Sequence, residues 1–127
     1  MKITFEGNKK INATVGDFVI KTDQPKHQGG EESEPNPFQL FLASLGTCSG
    51  IFIKSFLDKR DISSDGITLS VHPNFNKEKY MLDDILIKIH LPENFDAKYE
   101  GALVSAAKLC LVGKHLSVPH NVEVVRD

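Results

Sequence analysis

The sequence predicts an α+β fold, with antiparallel sheets packed on two long helices. Three observations lead there. Short segments alternate polar and apolar residues between Gly-containing turns, as half-buried strands do. Two longer segments, Pro37 to about Lys59 and Asp96 to about Cys110, repeat their apolar residues at helical spacing. The strands follow one another closely, which favours antiparallel neighbours.

Residues 2 to 6, Lys-Ile-Thr-Phe-Glu, alternate as a first strand, and Gly7-Asn8 supplies a turn. Lys10 to Val15 alternates again. Gly16-Asp17 fits a two-residue hairpin turn, and Phe18 to Thr22 returns as a third strand of a meander. Residues 23 to 37 are rich in Gly, Pro and acidic residues without period, hence a loop, with Glu31, Glu32 and Glu34 solvated. Asn36 caps the first long helix, with Pro37 at its first position. Phe41, Leu45, Cys48, Phe52 and Phe56 share one face of it. Ile67 to Val71 and Ile85 to Leu91 read as an antiparallel pair around a polar turn at 75 to 79. Asp96 caps the second long helix, whose stripe is Leu103, Ala106, Ala107 and Cys110, with Gly113 near its end. Val118 to Val125 reads as a closing edge strand.

A chain of 127 residues with 40% apolar and 25% charged side chains describes one globular domain spanning residues 1–127. A formal net charge of −2 with no basic stripe argues against nucleic-acid binding. Met1-Lys-Ile-Thr-Phe-Glu opens no apolar run of the signal-peptide kind, so the expected location is cytoplasmic. Two cysteines in a reducing compartment do not make a disulfide scaffold. Phe38 to Ile53 carries no charge, yet falls short of the roughly 20 residues that span a bilayer. The expectation is no membrane, and a homodimer that covers this helix.

Both cysteines, Cys48 and Cys110, fall on apolar helix faces. They are either inert packing, since Cys is among the most buried residue types, or a reactive thiol and its resolving partner. The segment Pro35-Asn-Pro-Phe-Gln-Leu-Phe-Leu-Ala-Ser-Leu-Gly-Thr-Cys48 resembles the first motif of the OsmC/Ohr family, the osmotically induced and organic-hydroperoxide-resistance proteins. Cys110 stands where that family carries its second cysteine, and Gly29-Gly30 looks like its Gly-rich lead-in.

The resemblance implies an OsmC-like fold, an intertwined homodimer and a thiol peroxidase that needs no cofactor. It assigns Cys48 as the residue that attacks the peroxide and Cys110 as the one that resolves it. A small hydrophobic peroxide is then the substrate and an external dithiol the reductant. The family's activating Glu and Arg have no counterpart. Pro37-Phe38-Gln39 holds Gln where the Glu stands, and the only arginines are Arg60 and Arg126. Gln39, Lys26 and His27 are therefore the candidate substrate-binding groups, with Lys21 a further cation. The alternative reading is a non-catalytic protein of the same fold that binds a small apolar ligand. The string Cys110, His115, His120 matches no common zinc spacing, so no metal is expected. His72 and His90 read as cross-strand neighbours. Ser44 and Ser49 lack the flanking pattern of a hydrolase nucleophile.

Overall fold

The computed structural model describes residues 1–121, 123 and 124. The chain forms two compact units, Met1–Ala43 and the part from Ser44 onward.

The first unit is the expected meander. Strands β1 (Lys2–Phe5), β2 (Ile11–Val15) and β3 (Phe18–Thr22) pair antiparallel in the order β1-β2-β3. Val15 pairs with Phe18, which leaves Gly16 and Asp17 as a two-residue turn, Gly16 at φ 58°. That left-handed value favours glycine.

The loop after β3 has no long regular element, yet it is pinned. Its anchor is Asp23, whose side chain is fully buried. The carboxylate accepts hydrogen bonds from the N–H of Gln24 (2.8 Å), Glu31 (3.0 Å) and Ser33 (3.2 Å), and from the Ser33 hydroxyl (2.9 Å). Burial pushes this carboxyl up, but the bonds from Gln24, Ser33 and Glu31 outweigh it and hold the pKa at about 2. Gly30 belongs to the same closure, because a Cβ there would lie 1.8 Å from the Gln24 carbonyl oxygen. The acidic residues flanking Ser33 are exposed, as expected, and Glu31 pairs with Lys10.

Helix α1 (Pro37–Asp58) starts as the sequence implies. The Asn36 side chain accepts from the Gln39 N–H (2.9 Å), and the Gln39 side chain accepts from the Asn36 N–H (2.8 Å). This is a reciprocal capping box. The helix continues past the uncharged run through a Lys54–Asp58 pair one turn apart. At 22 residues it is long and apolar enough to cross a membrane by length and composition alone, a test that the core helix of a soluble protein also passes.

In the second unit, β4 (Thr68–Asn76) and β5 (Met81–His90) form a hairpin. Both strands are longer than expected. Phe75 and Asn76, expected in the turn at 75 to 79, stay in the ladder past a bulge at Asn74/Phe75, with Asn74 and Asn76 bonding across to Asp84 and Asp83. The turn is displaced to the residues after Asn76, whose side chain accepts from the N–H of Glu78 and Lys79.

The second long helix is not formed. A 3₁₀ turn (Ala97–Tyr99), capped by Asp96 as expected, leads into α2 (Glu100–Ala107), only eight residues. The backbone then tightens, with Leu109 N–H bonding to Ala106 O and Cys110 N–H to Ala107 O. Cys110 turns extended (φ −44°, ψ 116°) and caps a separate short helix, α3 (Leu111–Lys114). The core of this unit is Ile53, Leu57 and Leu103, packed by Leu69, Ile89, Leu91 and Phe95 among others. Among the described residues of 118–125 no strand forms; Val122 and Val125, part of that expected strand, lie outside them.

Two outcomes follow. Leu103→Ala should cost about 2–5 kcal/mol in urea unfolding, because Leu103 is fully buried and its cavity cannot collapse freely. The Asp23 anchor is depressed in the folded state, so its stabilisation is present above the unfolded value near 4 and is lost as pH falls from there toward about 2. Amide exchange at Glu31 and Ser33 should accelerate across that window in the native chain, and Asp23→Asn should abolish the dependence.

Candidate functional site

Cys48 sits on α1 and Cys110 at the cap of α3, and both thiols are free. Cys48 is half-buried and Cys110 is buried. The Cys110 sulfur accepts from the Gly113 N–H at 3.3 Å, and its S–H lies 3.8 Å from the Leu45 carbonyl oxygen. The same turn faces Cys48. Hydrogen bonds from the Val112 N–H, the Cys110 thiol and the Leu111 N–H hold the Cys48 thiol below its ordinary pKa, against an opposing burial effect. The Cys110 thiol thus donates to the Leu45 carbonyl and stands beside the Cys48 sulfur.

Local sequence explains why α1 can place Cys48 here. At Gly46, two residues earlier, a Cβ would lie 2.9 Å from Val71 Cγ2 of β4. Glycine therefore lets the helix approach the hairpin. The Gly-x-Cys motif thus has a packing cause.

A cavity of about 660 Å³ adjoins Cys110. Ile85, Ile87, Ile89 and Leu91 wall one side, Leu103, Val104 and Ala107 another, and Leu45 and Ser49 contribute from α1. Glu100 and Lys108 add charge to an otherwise apolar lining, and Cys110, not Cys48, reaches the wall.

Of the residues singled out in the sequence, the structure brings Cys48 and Cys110 together. Gln39, Lys26 and His27 belong to the first unit. All three are exposed, Gln39 within the capping box and the other two on a 3₁₀ turn (Lys26–Gln28). Arg60 is engaged elsewhere, its guanidinium 3.9 Å from the Phe56 ring centroid. Arg126 lies outside the described residues. Among the described residues no three His, Cys, Asp or Glu side chains converge as a metal site. His115 donates from Nδ1 to the Leu111 carbonyl (2.7 Å). Sequence reasoning missed the backbone donors of Leu111 and Val112. No side-chain signal marks them, since an N–H is carried by every residue except proline.

A family model described as OsmC-like protein matches residues 29–125. The chain belongs to the OsmC-like family. No curated protein matches it. Solved structures of similar fold include a Psychrobacter arcticus 273-4 protein provisionally called an osmotic stress induced and detoxification response protein. It is 23% identical, with TM-score 0.79, over 92% of this chain and 87% of that one. The organic hydroperoxide resistance protein OsmC of Legionella pneumophila is 21% identical, with TM-score 0.63, over 92% and 87%. OhrB of Bacillus subtilis, an organic hydroperoxide resistance protein, is 21% identical, with TM-score 0.55, over 92% and 90%. At these identities the likeness carries the fold.

The thiolate should be measurable by alkylation. The rate of iodoacetamide labelling of Cys48, read by peptide mass, should reach half-maximum below the pH of an ordinary cysteine. Val112→Pro deletes the donor with the largest effect and should move the midpoint upward. An unchanged profile would show that this N–H does not activate the thiol.

Proposed function

We propose that this OsmC-like chain reduces organic hydroperoxides with a pair of thiols, Cys48 attacking and Cys110 resolving. The observation that carries the reading is that the two cysteines meet, with the Cys110 thiol among the groups that hold the Cys48 thiol below its ordinary pKa. A thiolate is the nucleophile in peroxide reduction, and a neighbouring thiol is what converts its product to a disulfide. In the first step the Cys48 thiolate attacks the outer peroxide oxygen. The S–O bond forms, the O–O bond breaks, and the alkoxide takes a proton from water to leave as an alcohol. Cys110 then loses its proton and attacks the sulfenic sulfur, and the hydroxyl departs as water. An external dithiol returns both cysteines to thiols by exchange.

The proposal extends to the assembly. Residues 1–127 act as one OsmC-like domain that works as an intertwined homodimer in the cytoplasm. Supporting this, only 22% of the apolar window of α1 is buried within the chain. Phe5, Phe18 and Ile51 are also exposed. A second copy of the chain, rather than lipid, covers these surfaces. Lys26, His27 and Gln39 contact the substrate as exposed polar groups, so their alanine variants should raise KM more than they lower kcat.

One observation favours a second reading. The apolar cavity is lined by Cys110 and not by Cys48. A non-catalytic member of the fold would hold a small apolar ligand there, with the cysteine as part of the wall.

Treatment with cumene hydroperoxide separates the two. On the first reading both free thiols disappear and an intramolecular disulfide forms. Cys110→Ser stops at a sulfenic or overoxidised Cys48, and Cys48→Ser leaves Cys110 reduced with the rate down by about three orders of magnitude, as on loss of a nucleophile. Equal thiol loss in both variants would remove the division of roles. An inert wild type would leave the ligand-binding reading. Light scattering should give twice the mass of the chain, and a monomer at micromolar concentration would overturn the assembly.

A further inference from the structure

A second group of reactive side chains lies on the β4–β5 hairpin, away from the cysteines. Ser70 Oγ is 2.8 Å from His72 Nε2 and 2.7 Å from His90 Nε2. The register explains the convergence. Thr68 pairs with His90, Ser70 with Lys88 and His72 with Leu86, so the two imidazoles flank Ser70 on one face of the ribbon. Ile85, Ile87 and Ile89 alternate with these positions on β5 and line the cavity, which leaves the histidines on the other face. Both are exposed, while Ser70 is half-buried between them.

We propose that Ser70, His72 and His90 form a surface site for a divalent transition-metal ion, with Zn²⁺ the ion the chemistry suits best. Imidazole Nε2 is the commonest nitrogen ligand for such ions. Here two of them are aimed at a common oxygen by a hydrogen-bonded ribbon rather than by separate loops. One hydroxyl offers one proton and two lone pairs, so the bridge is satisfied with both imidazoles neutral. Neutral imidazole is the form a metal needs. To bind, the rings turn slightly inward until each nitrogen lies at the roughly 2.0–2.1 Å of a Zn–N bond. Any proton on the coordinating nitrogen moves to Nδ1. The Ser70 hydroxyl and water complete four-coordination. Lys88, the register partner of Ser70, shares the face and opposes the ion's charge, so this is a site of modest affinity.

The test uses the full chain, Zn²⁺ alone and the imidazole ¹⁵N resonances, which report each histidine separately from any binding at the thiols. Zn²⁺ should move His72 and His90 Nε2 together with one midpoint. His72→Ala should weaken the His90 response by about tenfold or more, and Lys88→Gln should lower the midpoint for both. Both changes lie on the surface, and the amide spectrum checks that each variant is folded. If Zn²⁺ moves neither imidazole, or if the His90 response survives His72→Ala at unchanged affinity, the contact is only a hydrogen-bonded bridge and the proposal fails.

Discussion

The hydrogen bonds of Cys110 decide what the second unit can do. Its sulfur accepts from the Gly113 N–H and so caps α3, which starts in a new direction after α2 has ended at Ala107. Because the chain turns there, the Leu111 and Val112 N–H groups are directed at Cys48 instead of into a continuing helix. Had the expected long helix continued through this point, both donors would have been consumed by carbonyls four residues back. The irregularity is thus what provides the thiolate with donors, and Cys110 adds its own thiol to the set.

This arrangement bears on the missing cation. The family's Arg brings a full charge and a planar pair of donors. Backbone N–H groups bring partial charges, but they are fixed in place and carry no side-chain entropy to lose. Their influence on Cys48 therefore depends on the geometry of one turn. It is also less sensitive to salt than a solvent-exposed cation would be. If the chain reduces peroxides as proposed, it should accordingly do so more slowly than a member with the Arg, because less charge opposes the thiolate.

Much of the fold could be read from residue pattern. The three-stranded meander was legible because Lys2 to Glu6 and Lys10 to Val15 alternate and Gly7 and Gly16, both at positive φ, mark the turns. The start of α1 was legible from Asn36 and Pro37. The same spacing, Asn36-x-x-Gln39, also signals a capping box, so the Gln39 side chain has a structural duty the sequence already contained. The break at Cys110 was not legible. Leu103, Ala106, Ala107 and Cys110 keep helical period through it, and no Gly or Pro marks the place. The helix ends where the backbone tightens, Leu109 and Cys110 bonding to the carbonyls of Ala106 and Ala107, and residue pattern does not mark that change. The strand lengths failed for a related reason. Pro73, Asn74 and Asn76 are turn-forming residues by type, but cross-strand bonds to Asp84 and Asp83 keep them in the ladder. Of the site, the two cysteines were legible and their backbone donors were not.

The cavity constrains the two functional readings together. Its apolar walls come from the inward faces of β5 and α2, the same faces that supply the core residues Ile89, Leu91 and Leu103. Side chains alternate between the faces of a strand, so Ile85, Ile87 and Ile89 present one continuous apolar face to the cavity. An apolar occupant is therefore favoured whichever reading holds, because such walls cannot hydrogen-bond a polar one. Cys110 lies in the wall and Cys48 does not, so that occupant meets the second thiol there. In the peroxidase reading the alkyl group of the substrate would lie along the wall with its peroxide directed at the thiols. That requires a substrate with an apolar body and its peroxide at one end. It excludes compact polar peroxides on the same physical ground that makes a buried unpaired polar group costly.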